Sequence, residues 1–431
     1  MWHHKNVLDY IRTGSVIFLM IFIWLHLNFS GLDEPSSKYS KLNNADAVIS
    51  SAKSAEPPIT SVYEEILSNM PNISTIKRKI AQYNQEQVVH NEHKFQPLRN
   101  DSVVIVVQVH DRIAYLRHLV ASLARAFGIS EALLVFSHDF YDEEINSLVK
   151  TIDFCKVTQM FYPYSTQTHP REFPGDDPRD CPRDMTKEEA VMKKCNNALY
   201  PDVYGHYREA KFAQIKHHWW WKANRIFSRL KATENHTGPV VFLEEDQYVA
   251  EDFIYMLKLM EKHCRIFFKH CNILSLGTYL NAYDYRLDSG RVDASPWIGG
   301  KHNMGMAFNR STWNQIAECA TDFCEYDDYN WDWSLQHLSQ RCLKHELQAV
   351  SVRAPRVFHI GECGVHHAKN DCGLTSAILR VERVLKSANS HLYPGHLILG
   401  SSTDLKSKRV NRNGGWGDRR DHRLCLDMTI R

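Results

Sequence analysis

Residues 102–109 read SVVIVVQV and residues 240–246 read VVFLEED. The first stretch is a short, unbroken, mostly β-branched run, as expected of a strand buried on both faces in a parallel sheet. Working outward, apolar residues recur at helical spacing over 115–127, with Gly128 as a stop signal. Residues 133–136 then read as a strand, 143–152 as a helix and 157–164 as a strand. This alternation predicts a doubly wound α/β sheet. Such sheets bind ligands beyond the C-terminal ends of their strands. Three strand ends carry candidate chemistry: Gln108-Val109-His110-Asp111-Arg112, Ser137-His138-Asp139, and Glu244-Glu245-Asp246. Neither G-x-G-x-x-G nor G-x-x-x-x-G-K-[ST] occurs, so the usual glycine-rich phosphate cradles are missing.

The chain has 431 residues, with 52 Lys+Arg against 50 Asp+Glu, and 43% of its residues are apolar. That composition suits a folded chain. The near-neutral balance argues against a nucleic-acid partner. Residues 13–32 lack charge and contain the apolar run VIFLMIFIWL at 16–25, long enough to cross a bilayer as a helix. Lys5 and Arg12 precede this stretch, and Asp33 and Glu34 follow it. The positive-inside bias therefore predicts a cytoplasmic tail over 1–12, a signal-anchor over 13–32 and a lumenal remainder, a single-pass type II arrangement. A cleaved signal peptide is the competing reading. Residues 33–99 are polar and aperiodic apart from helical patches at 63–70 and 76–83, and read as a stem. A catalytic head is expected over 100–431. A lumenal address makes Asn72, Asn100, Asn235 and Asn309 candidate N-glycosylation sites, each in an N-x-[ST] context.

Three carboxylates at a strand end repel one another, and a hard divalent cation offsets that repulsion while leaving positions open for a diphosphate. In a strand, Glu244 and Asp246 would face one side and Glu245 the other. A metal-dependent hydrolase, or a membrane-tethered lectin, would use the same residue types.

A resemblance narrows the choice. The blocks QVHDR (108–112), FSHDF (136–140), EFPGDDPRDCPRD (172–184), GHYREAKF (205–212), KHHWWWK (216–222), FLEED (242–246), LSLGTY (274–279), HNMG (302–305), YDDYNWDW (326–333) and NGGWGD (413–418) run in the order seen in the N-acetylglucosaminyltransferase II family, and the chain resembles that family from about residue 100 onward. Gln247 departs from it, since relatives often have His there. The resemblance implies a GT-A type fold, a nucleotide-binding α/β half joined to an acceptor-binding half. It also implies a Golgi enzyme that uses UDP-GlcNAc and Mn²⁺ to add GlcNAc, with inversion, to the 2-hydroxyl of the α1,6-arm mannose of an N-glycan. A homodimer stays open.

By the same resemblance, Asp246 and His359 would ligate Mn²⁺. Gln108, Val109, His110, Asp111, Arg112 and Asp139 would hold the donor, as would Gln214, Ile215, Lys216, His217 and His218. Asp332 matches the family base, with Asp327 and Asp328 as rivals. Tyr279, Asn303, Tyr329, Asn330 and Trp331 are acceptor candidates. Residues 219–221 are three consecutive tryptophans, which cannot share one helix face, so at least one is expected in the core. All eleven cysteines lie at or beyond Cys155. Spacing favours Cys181–Cys195, Cys264–Cys271 and Cys363–Cys372. The family arrangement suggests Cys319–Cys342 and Cys324–Cys425, which leaves Cys155 as a buried thiol.

Overall fold

A computed structural model describes residues 72–267, 271–280, 282–361, 373–400 and 412–429. The expected tail, anchor and first part of the stem lie outside these residues, as does the Cys363–Cys372 pair. Among the described residues no helix is long and apolar enough to cross a membrane.

The strands are β1 (Val89–His90), β2 (Val104–Val109), β3 (Leu133–His138), β4 (Lys156–Phe161), β5 (Val240–Glu244), β6 (Gln247–Val249), β7 (Cys271–Ser275), β8 (Arg291–Pro296), β9 (Met306–Phe308), β10 (Gln348–Val352), β11 (Val357–His359) and β12 (Ile398–Gly400). Six helices matter here: α1 (Ile73–Glu86), α2 (Ile113–Ala124), α3 (Ala210–Ser228), α4 (Phe253–Phe267), α5 (Trp331–Arg341) and α6 (Arg419–Asp427). The main sheet has the order β1-β4-β3-β2-β5-β9-β7-β10-β8-β12. Its β4-β3-β2-β5 portion is parallel, as the strand–helix alternation predicts. Beyond β5 the sheet is mixed rather than doubly wound throughout, because the three-residue strand β9 inserts antiparallel to both β5 and β7.

The unbroken apolar run of β2 has a simple cause. Ile105, Val107 and Val109 face a core that also holds Leu116, Leu119 and Leu123 of α2 and Leu257 and Met260 of α4. Val104 and Val106 face the opposite core, built on α3. With both faces covered, neither set of alternating positions can be polar.

The three tryptophans of α3 are all buried. Each turns to a different neighbour, as the 100° step between helix residues requires. Trp219 stacks on Trp331 at 4.5 Å and 3°. Trp220 stacks on Phe323 at 4.3 Å, and Trp221 meets Tyr162 edge-on at 5.7 Å.

The boundary expected at residue 99 moves toward the N-terminus. Ile76 and Ile80 of α1 are buried against Tyr141 and Phe161. Asn84 bonds both the N–H and the C=O of Phe161, and β1 pairs antiparallel with β4. The segment from 73 onward is therefore part of the head, although its surface is polar enough to read as stem.

The structure contains the disulfides Cys181–Cys195, Cys264–Cys271, Cys319–Cys342 and Cys324–Cys425. Cys155 is a buried free thiol, its pKa pushed up to about 12 by burial. Cys324–Cys425 ties α6 to the segment before α5 across 101 residues. Closing a loop of that length removes much unfolded-chain entropy. Replacing both cysteines by alanine is expected to lower the unfolding free energy by about 3–5 kcal/mol, read from denaturant midpoints on the otherwise oxidised protein.

Candidate active site

Strands β3, β2 and β5 end side by side. Gln108 pairs in register with Ser137 on one flank and Glu244 on the other, so these three side chains share one face of the sheet. Helix α3 covers that face. Its residues Gln214 and His218 lie one turn apart and meet Asp139, just past β3. Gln214 Nε2 donates to Asp139 Oδ2 at 3.0 Å, and His218 Nδ1 lies 3.4 Å from the same oxygen. His218 Nε2 is 2.8 Å from Ser137 Oγ. On the other side His110 Nδ1 lies 2.6 Å from Asp139 Oδ1. Burial opposes a charge on His110, but the Asp139 contact outweighs it and raises the imidazole to about 9. Burial opposes ionisation of Asp139 too, yet its bonds to His110 and His218 hold it ionised, well below the usual carboxylate range. The half-exposed His110 therefore offers a cationic imidazole at the mouth of the crevice. Asp111 beside it is exposed, whereas Val109 is buried in the core.

β5 ends at Glu244, so Glu245 and Asp246 lie in the turn that follows rather than alternating along a strand, and both meet Arg112. Glu245 turns back to β2, accepting from His110 N at 2.9 Å and from Arg112 Nε at 2.7 Å. Asp246 faces the crevice. Its Oδ2 accepts from Arg112 Nη1 at 2.9 Å and lies 3.3 Å from His359 Nε2. Pairing of β6 with β11 creates this contact by setting Gln247 opposite His359; Ile360 N then donates to Asp246 O at 2.9 Å. The buried Oδ1 of Asp246 has no hydrogen-bond partner among the described residues. A carboxylate with an orphaned oxygen beside an imidazole suits a hard or borderline divalent cation. Gly361 keeps the place open, since a Cβ there would fall 2.4 Å from Asp246 Oδ2 and 3.1 Å from His359 Nε2.

Asp332 sits in the first turn of α5, only 8% exposed. Its Oδ1 accepts from Trp333 N at 2.9 Å and its Oδ2 from Asn303 Nδ2 at 3.1 Å. Asn303 Oδ1 in turn accepts from the hydroxyl of Tyr279 at 2.9 Å. Burial, reinforced by Asp328 and Glu244, raises the Asp332 carboxyl to about 7. That value suits a group that must take a proton near neutral pH. Glu244, at the tip of β5, is itself raised by burial and by Asp246, and so lies electrostatically between the cation pair and the base.

Several expected site residues are occupied elsewhere. Lys216 Nζ donates to the carbonyls of Tyr326 and Asp328 at 2.9 and 3.0 Å. His217 Nε2 lies 2.9 Å from Asp421 Oδ1 on α6, and Ile215 packs at the margin of the core. A helix presents positions 214 and 218 together and turns 215–217 away, so only two of the five residues reach Asp139. Trp331 is buried on Trp219, Tyr329 leans on Phe212 at 5.1 Å, and Asn330 bonds Asp328 at 3.0 Å. The rivals of Asp332 are structural. Asp327 accepts from Val203 N and Trp416 N, and Asp328 from Asn330 and Asn413. Of the sequons, Asn72, Asn100 and Asn235 are exposed, while Asn309 is partly buried and caps a helix through Thr312 N. Sequence reasoning missed Gly361, for which no local signal exists, and Lys222, whose spacing of four from His218 was the available clue.

A near-neutral carboxyl held by an amide that a phenol in turn bonds, across a polar strand-end crevice from a carboxylate–imidazole pair, is an arrangement fit for a sugar-nucleotide-dependent glycosyltransferase. The chain belongs to the N-acetylglucosaminyltransferase II (MGAT2) family, whose profile matches residues 77–425. A Rattus norvegicus relative is 45% identical over 347 residues, covering 80% of this chain and 78% of its own. A Mus musculus relative is 43% identical over 378 residues, covering 87% and 84%. One from Arabidopsis thaliana is 34% identical over 349 residues, covering 79% and 77%. All three are named alpha-1,6-mannosyl-glycoprotein 2-beta-N-acetylglucosaminyltransferase.

Gly361→Ala should displace Asp246 or His359 and weaken divalent-cation binding by about 10-fold or more. Mn²⁺ titration followed by electron paramagnetic resonance reads this, with circular dichroism checking the fold; unchanged affinity would remove Gly361 from the site.

Proposed function

We propose that this protein transfers GlcNAc from UDP-GlcNAc to the 2-hydroxyl of the α1,6-arm mannose of an N-glycan, with inversion, forming a β1,2 linkage. The observation that carries the mechanism is the chain Tyr279–Asn303–Asp332, which ends on a carboxyl at about 7. Family membership supplies the substrates. In this reading Gln108, His110, Arg112 and Asp139 bind the nucleotide. Asn303 and Trp333 N hold the Asp332 carboxylate in one orientation, and the exposed phenol of Tyr279 borders the acceptor. Asp332 removes the proton from the mannose hydroxyl. The freed oxygen attacks the anomeric carbon while the bond to the UDP oxygen breaks and UDP leaves with that electron pair. Asp246 and His359 would hold a divalent cation, Mn²⁺ in this reading, which supplies Lewis-acid stabilisation of the departing diphosphate when bound. Residues 13–32 would anchor the enzyme in the Golgi membrane with the head lumenal.

Asp332→Asn is expected to lower transfer by about 10²–10⁴-fold, the usual worth of a general base, while UDP binding persists. Because the carboxylate form is the active one, activity in the unaltered protein should fall as pH drops through about 7. A defined hybrid N-glycan incubated with UDP-GlcNAc and Mn²⁺, with the product read by mass spectrometry, tests both. Undiminished transfer by the Asn variant would exclude Asp332 as base.

A further inference from the structure

One ammonium has no place in the mechanism above. Lys222 lies one turn beyond His218 on α3, so Gln214, His218 and Lys222 form a stripe at i, i+4 and i+8. The stripe faces the row Ser137–Gln108–Glu244 across the ends of β3, β2 and β5. His218 meets Ser137, and Lys222 Nζ donates to Gln108 Oε1 at 2.6 Å. Lys222 is 1% exposed, and its ammonium lies 5.7 Å from the centre of the Phe242 ring. The charges that offset its burial are Glu244, first, and Asp139.

An ammonium in such a place is a cost to the fold unless it does something for the site. Burial alone draws Lys222 down to about 7 against the pull of both carboxylates. Replacing a whole buried ion pair by apolar side chains is often neutral or stabilising, whereas removing one partner leaves the other buried and unpaired, so the fold alone gives no need for a charge here. What the ammonium does achieve is geometric. A carboxamide has two distinct ends; by claiming Oε1 of Gln108, Lys222 fixes the rotation of that amide and leaves the Nε2 donors as the end free to meet a ligand.

We propose that Lys222 is a positioning residue for the nucleotide. It acts through Gln108, orienting the Gln108 amide so that its N–H donors serve the donor substrate. The inference rests on the reading of Gln108 as a donor contact, and the test separates the two. UDP binding in the presence of Mn²⁺ is measured by calorimetry for the unaltered protein, Lys222→Met, Gln108→Leu and the double variant, with melting temperatures alongside. Lys222→Met should weaken UDP by about 10-fold, which is 1.4 kcal/mol; its melting temperature falls as well, because Gln108 Oε1 and Glu244 lose a buried partner. The double variant should bind no more weakly than Gln108→Leu alone. UDP affinity unchanged in Gln108→Leu would sink the donor role of Gln108. A loss in Gln108→Leu with none in Lys222→Met would sink the role of Lys222 alone. Additive losses in the double variant would show that Lys222 acts through the fold rather than through Gln108.

Discussion

The buried carboxylate of Glu245 is the joint on which the site depends. It accepts from the backbone N–H of His110 and from Arg112 Nε, while its own N–H donates to the carbonyl of Gln108. These bonds lock the end of β5 to the end of β2 after both strands have left the sheet. The direction of Asp246, the next residue, follows from that lock. Arg112 serves both acids at once, with Nε on Glu245 and Nη1 on Asp246. The ends of β2 and β5 are thus held by one cation, Arg112, shared between two acids. Removing either partner would leave a buried charge without compensation, a far larger penalty than losing an exposed ion pair.

The turn that carries Asp332 is held differently. Asp332 owes its place to the turn before α5, and the turn to a set of backbone bonds from distant segments. Asp328 gathers Asn330 and Asn413. Asp327 gathers Val203 and Trp416. Lys216 bonds two carbonyls of the same turn from beneath. Asp327 and Asp328 thus hold backbone in place, and Asp332 is the one carboxylate of the three that the Asn303 amide bonds.

The parallel half of the fold was legible because its strands are buried on both faces, and β-branched runs report that condition directly. Strand ends could be read for the same reason: where a run stops, the first polar residues stand at the ligand face. The expected alternation of Glu244–Asp246 did not apply, because the strand stops at Glu244 and the next two acids lie in a turn. What could not be read were pairings made by very short elements. Nothing in Met306–Phe308 marks it as the strand that turns the sheet mixed, and nothing in Val357–His359 announces pairing with β6. His359 stood out through family resemblance, not through its neighbours. In the segment 214–218 one block of family likeness spans a whole turn of helix, and only Gln214 and His218 of it meet Asp139. The packing of Trp331 on Trp219 could not be read either, since an aromatic beside an acid looks the same in sequence whatever it stacks on.

The turn that carries Asp332 also leans on residues 413–421. Asn413, Gly415 and Trp416 bond Asp328, Asp202 and Asp327, and Asp421 of α6 is paired with Arg208 and His217 deep in the protein. The Asp202–Gly415 and Arg208–Asp421 pairs each join segments 213 residues apart. Contacts of such separation form only after the loop-closure entropy between them has been met. Asp332 therefore stands on a strongly non-local part of the fold, and Cys324–Cys425, which itself spans 101 residues, shortens the path those contacts must close.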